Sequence, residues 1–138
     1  FYGRGLTAPD FTIVMLPDAQ YYTCQLSGGT NAIFKQQTQW VVDNRNSRNI
    51  IYVNQVGDIT NNGDINIVEW KRADTAMSIL ESVSPSIPYG ISIGNHDKET
   101  GATVYYNQFF GSSRFEGQSY YGGHYGSDNN NNFQLLIL

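Results

Sequence analysis

Three short polar stretches hold the residue types from which a metal or phosphate centre is assembled. They are Pro17-Asp18-Ala19-Gln20, Gly57-Asp58-Ile59-Thr60-Asn61-Asn62-Gly63-Asp64 and Gly94-Asn95-His96-Asp97. Carboxylates and carboxamide oxygens suit hard divalent cations, and an imidazole can move a proton. Asp18 and Asp58 are placed to bridge two cations, an arrangement that clamps both the attacking and the leaving oxygen of a displacement. Gln20 and Asn95 offer neutral amide oxygens. His96 can donate a proton to a leaving alkoxide, and Asp97 beside it is expected to orient the imidazole. Taken singly, a Gly-Asp pair more often caps a turn and a lone His is more often structural. The weight lies in finding all three stretches in the same setting.

That setting is a strand that ends just before each stretch. Residues 11–16 (FTIVML), 50–56 (IIYVNQV) and 88–93 (PYGISI) are apolar runs rich in β-branched residues, which reads as buried strands. Between them the apolar positions change to helical spacing. A first helix is expected over residues 30–46, opened by Thr30, with Ile33, Trp40 and Val41 toward the sheet. A second is expected over residues 65–82, capped by Asp64, with Ile67, Trp70, Ala73, Met77 and Leu80 as its buried stripe. Residues 21–29 read as loop, and Asn61-Asn62-Gly63 as a turn through residues that accept positive φ. This β-α-β-α-β start predicts an α/β domain with a mainly parallel sheet and right-handed crossovers. In such sheets ligands bind beyond the carboxyl ends of the strands, where all three stretches fall.

The remainder is less patterned. Residues 1–10 read as loop, and 103–110 as a short helix. Tyr120-Tyr121 and residues 133–138 read as strands, the latter buried, around a polar loop over 122–132. His124 falls in that loop, and the Asn129–Asn132 run reads as its solvated tip. No repeat or linker divides the chain, so residues 1–138 are expected to be a single domain. The apolar run at 133–138 and the missing initiator Met suggest a piece of a longer protein. An edge left open after Leu138 would then invite pairing with a second copy or another chain.

Composition narrows the function classes. The net charge of −4 gives no basic footprint for nucleic acid or an anionic membrane. No apolar run approaches the ~20 residues of a spanning helix. The one cysteine, Cys24, cannot form an internal disulfide. Few lysines among many Asn, Tyr and Gly point to a secreted or extracellular setting. Tyr21 and Tyr22, which come after the first polar stretch, could line a substrate cleft, though aromatic residues more often cover a sheet.

The block Gly57-Asp58-Ile59-Thr60-Asn61-Asn62-Gly63, followed one helix and one strand later by Gly94-Asn95-His96-Asp97, resembles the signature of the calcineurin-like metallophosphoesterases, a superfamily that includes the purple acid phosphatases. The segment Thr38-Gln39-Trp40-Val41-Val42-Asp43-Asn44 is also similar to a helix of bacterial members. The resemblance implies a four-layer α/β/β/α sandwich, present here only in its N-terminal part, and a di-metal centre that hydrolyses phosphate esters. It implies that Asp18 binds the first metal, Asp58 bridges both and Asn95 binds the second. It makes His96 the catalytic imidazole and Asp97 its partner. The two divalent ions would come from Mn, Fe, Mg, Ca or Zn.

Two departures qualify the likeness. Gln20 stands where the family has a histidine, a neutral oxygen donor that favours Mg, Mn or Ca over Zn. The family's later histidines have no counterpart, because the chain holds only His96 and His124. The activity is therefore expected of a longer parent chain. The alternative is a non-catalytic binding or structural module of an extracellular assembly on the same fold.

Overall fold

The computed structural model describes residues 10–137. The loop expected over residues 1–10 and the chain end at Leu138 lie, but for Asp10, outside the described residues.

Three parallel strands form the main sheet: β1 (Thr12–Leu16), β2 (Ile50–Gln55) and β3 (Tyr89–Ile91), in the order β1-β2-β3. Parallel neighbours need a crossover, and each is a helix. Helix α2 (Asn31–Asn44) joins β1 to β2, and α3 (Ile67–Met77) with a 3-10 turn (Ser78–Glu81) joins β2 to β3. The mixed α/β class and the parallel sheet thus agree with the sequence pattern. A short helix α1 (Gln20–Cys24) precedes α2. Helices α4 (Val104–Phe110) and α5 (Ser112–Phe115) come after β3 and lead to an antiparallel hairpin, β4 (Tyr121–His124) and β5 (Asn132–Gln134). The hairpin is tied to the main sheet by the Tyr52 hydroxyl, which donates to Gln134 Oε1 over 2.7 Å.

The core gathers where the helical stripes meet β2 and β3. Phe34 and Val41 from α2, Trp70, Ala73 and Met77 from α3, and Val53 from β2 are all fully buried. Each large apolar side chain of this kind contributes about 1.5–3 kcal/mol on leaving water. Trp70 meets Tyr106 edge-on at 6.0 Å between ring centroids. Its indole N–H donates to the Gly63 carbonyl over 2.7 Å, which anchors the loop after β2 to the core. A partly buried cation closes the far side. Arg114 donates to Asp74 (2.6 Å), Glu81 (2.8 Å) and the Tyr89 hydroxyl (2.7 Å), so α5, α3 and β3 share one ion-pair network.

Several expectations are corrected. Residues 11–16 are not a buried strand. Among the described residues β1 is an edge, and Phe11, Ile13 and Met15 are 45%, 47% and 57% exposed. Trp40 is half exposed rather than buried, lining an open groove with Val14 and Met15 of β1; the buried positions of α2 are Phe34, Thr38 and Val41. Residues 21–29 are not all loop, since Gln20–Cys24 form α1. Asp64 does not cap α3. Asn66 does, accepting from the Val68 N–H, while Asp64 accepts from the Thr100 N–H. Phe133, Leu135 and Ile137 are exposed rather than buried, and His124 lies in β4 rather than a loop. Asn129 is no solvated tip. It is buried, receives the Tyr121 hydroxyl at 2.6 Å and donates to the Phe110 carbonyl at 2.7 Å.

Candidate metal centre at the carboxyl edge of the sheet

Parallel register brings the three polar stretches to one edge. Leu16 pairs with Gln55 and Gln55 with Ile91, so these residues form one row across the sheet. Asp18, Asp58 and Asn95 come within a few residues of that row on the same side. The turns are then stitched together. Ala19 N–H donates to the Asp58 carbonyl over 3.1 Å, and His96 N–H donates to Asp58 Oδ1 over 2.8 Å. Gln55 braces the second turn, accepting from the Gly57 N–H at 2.8 Å and donating to the Gly57 carbonyl at 3.0 Å.

Glycine permits the approach. A Cβ on Gly94 would sit 2.6 Å from Asp58 Cγ, and one on Gly57 would sit 2.9 Å from the Gly94 nitrogen. Asp58 itself adopts φ 49°, a left-handed conformation uncommon among non-glycine residues but more accessible to Asp and Asn. It lies at a predicted ligand, directly against Gly94. The positive φ expected at Asn61-Asn62-Gly63 is found instead at Gly57 and Asp58.

Asp97 does not orient His96. Its buried carboxylate accepts from Thr60 N–H (2.9 Å), Thr60 Oγ1 (2.8 Å) and Gly94 N–H (2.9 Å), clamping the second and third turns to each other. Burial pushes this carboxyl above the usual range, opposed by those hydrogen bonds. The partner of His96 is Glu99, whose Oε1 lies 2.9 Å from Nδ1, with the Asn61 carbonyl at 3.2 Å. Desolvation alone would lower the imidazole pKa. Hydrogen bonding to Asn61 and Glu99, with the charges of Asp58 and Glu99, outweighs it and raises it. No described residue bonds Nε2.

The Asp18 carboxyl is exposed at the edge of the site, yet it is also raised. Desolvation leads, the Asp58 carboxylate adds to it, and the Gln20 N–H and the His96 ring oppose it. Asp18, Asp58 and His96 are therefore within electrostatic reach of one another. Gln20 opens α1 with its Oε1 buried, an acceptor that no described residue donates to. Asn95 begins the third turn with an exposed side chain. Among the described residues, no group of three His, Cys, Asp or Glu side chains stands close enough to hold a metal ion by itself. His124 takes no part, since its ring pairs with the Tyr121 hydroxyl at 3.0 Å.

Sequence reasoning missed the residues that hold these turns. Glu69, fully buried, receives the Asn61 N–H (2.7 Å), the Asn62 N–H (2.9 Å) and the Asn66 carboxamide (2.9 Å). Its place three residues after the Asn66 cap is the spacing of a capping box, a signal that was legible. Thr60 gave no such signal, because its partners lie on another strand's turn.

Neither a family model nor a solved structure matches the chain. Among curated proteins it is similar to "Uncharacterized protein YvnB" of Bacillus subtilis (strain 168), 38% identical over 128 residues. That alignment takes in 91% of this chain and 9% of the relative, so the chain spans about a tenth of the length of the curated relative it matches. No helix among the described residues is long and apolar enough to cross a membrane.

Proposed function

We propose that this chain supplies part of a di-metal phosphoesterase centre, active within a longer protein that contributes the remaining ligands. The reading rests above all on one observation. Two carboxylates, Asp18 and Asp58, stand at the carboxyl edge of a parallel sheet, on turns joined by the Ala19 N–H to the Asp58 carbonyl and by the Gly57–Gly94 contact, beside an imidazole nitrogen that no described residue bonds. The four-layer sandwich and the calcineurin-like family belong to the same proposal, on the motifs that suggested them.

The residues present fit divalent cations in part. The Asp58 carboxylate adds to the cost of ionising Asp18, which a cation between them would relieve. The buried Gln20 Oε1 is an oxygen ligand with no hydrogen-bond partner among the described residues. With Asn95 these make an all-oxygen set that suits Mg, Mn or Ca. When bound, two such ions supply Lewis-acid stabilisation of phosphoryl charge and lower the pKa of a water. The chain's own contribution is positioning and proton transfer. Asp58 fixes the His96 backbone, Glu99 and the Asn61 carbonyl orient the ring through Nδ1, and Nε2 is left to hold a proton for a leaving alkoxide.

Titration calorimetry with Mn2+ tests this. We expect Asp58→Asn and Asp18→Asn each to weaken Mn2+ binding roughly tenfold or more, with folding retained by circular dichroism. Absence of binding at millimolar Mn2+, or affinity indifferent to Asp58, would sink the proposal.

A second reading, a non-catalytic binding or structural module, is favoured by the absence of a three-membered His, Cys, Asp or Glu group among the described residues. On that reading, the two substitutions leave metal affinity unchanged.

A further inference from the structure

A groove of about 340 Å³ begins one residue before the third turn. One wall is Ile91, Ser92 and Ile93, as the chain leaves β3, and Ile93 is bonded directly to Gly94. The other wall is Asn130, Asn131 and Asn132, at the start of β5. No lining residue is charged.

Two wall residues are held in place by the protein itself. Asn130 is fixed by the Asn107 carboxamide (2.8 Å) and by Asp128, to which its own amide donates (3.0 Å). Asn132 donates to the Asn129 carbonyl (2.8 Å) and accepts from Gln134 (2.6 Å). The Ser92 hydroxyl and the Asn131 carboxamide, by contrast, are exposed and make no hydrogen bond to a described residue. Rigid carboxamides frame a free hydroxyl and a free carboxamide, with the partly buried Ile93 beside them.

We propose that this groove receives the alcohol portion of the phosphate ester, and that this portion is a neutral polyhydroxylated group of the sugar or polyol kind. The inference rests on the phosphoesterase reading. Hydroxyls both donate and accept, and a carboxamide and a hydroxyl do the same in return. The C–H faces of such a group suit the partly buried Ile93. An aromatic or alkyl group would strip water from the carboxamides without replacing its hydrogen bonds, and an anionic one would meet no cation among the lining residues.

Amide NMR of the chain in Mg2+, titrated with glucose 6-phosphate, glucose and inorganic phosphate, separates the two readings. Glucose 6-phosphate is expected to shift Ser92, Ile93 and Asn130–Asn132 together with Asp58, Asn95 and His96. Glucose should shift the first set only, and phosphate the second only. The exposed-residue double variant Ser92→Ala/Asn131→Ala should weaken glucose 6-phosphate by about tenfold, the worth of two neutral hydrogen bonds, and leave phosphate affinity unchanged. Unmoved groove amides, or a double variant that binds glucose 6-phosphate as well as the parent, would overturn the inference. Groove shifts with glucose, while phosphate moves nothing at the turns, would uphold the polyol groove and overturn the phosphoesterase reading instead.

Discussion

Asp97 shows how residue type and residue role separate. Its place beside His96 suggests a share in proton transfer, yet its carboxylate is spent on three donors from two turns. Asparagine at this position replaces one oxygen with an N–H2 group that faces a donor. We expect Asp97→Asn to cost about 1–3 kcal/mol, the penalty for a buried donor left unpaired, read as a lower urea midpoint. The imidazole titration of His96, followed by ring-proton NMR, should not move, because Glu99 and Asn61 set it. A shifted His96 titration with unchanged stability would restore Asp97 as its partner. Glu69 plays a similar part for Asn61 and Asn62, again as a buried acceptor for loop backbone.

At the scale of elements, β1 is the informative case. Its run of Thr12-Ile13-Val14-Met15-Leu16 has the composition of a central strand. Among the described residues it nevertheless ends the sheet, with Met15 more than half exposed and no charged residue along it. An uncharged apolar edge is prone to pair with other chains. We expect Met15→Lys to reduce self-association of this chain, seen as a smaller species in light scattering, while stability stays within about 0.5 kcal/mol, as for other surface changes. A loss of several kcal/mol would mean that Met15 is buried in solution. Self-association unchanged by the lysine would move the interface away from β1.

Across the whole molecule, tyrosines are built into the packing. Burial pushes Tyr52 and Tyr120 up to about 12, and Tyr89 and Tyr106 are raised as well. The unfolded chain, with tyrosines near 10, loses these protons first. Folded pKa values above the unfolded ones contribute stability in full below pH 10, and that contribution falls as pH rises through about 12. Tyrosinate absorbance followed against pH beside far-ultraviolet circular dichroism should show a late ionisation step that coincides with unfolding. Complete ionisation near pH 10 with the fold intact would contradict the packing described for these residues.

The sequence alone determined the features set by local period and composition. Alternation of apolar strand runs with helical stripes was enough for β1, β2, β3, α2, α3 and their parallel arrangement, because periods of two and 3.6 are short-range properties. It also carried Asp18, Asp58, Asn95 and His96 to one edge, since parallel strands end on the same side. Tertiary structure decided everything that depends on partners distant in sequence. Whether Phe11–Leu16 is central or edge is set by strand order, which no local window contains. The left-handed Asp58 results from the close packing of Gly57 on Gly94, 37 residues apart in sequence. The exchange of Glu99 for Asp97 beside His96 results from Thr60, which reaches Asp97 from a neighbouring turn. Burial of Asn129 likewise needed Tyr121 and the Phe110 carbonyl to be brought to it. A polar side chain takes its role from the donors and acceptors that folding places around it, and those are not written next to it in the chain.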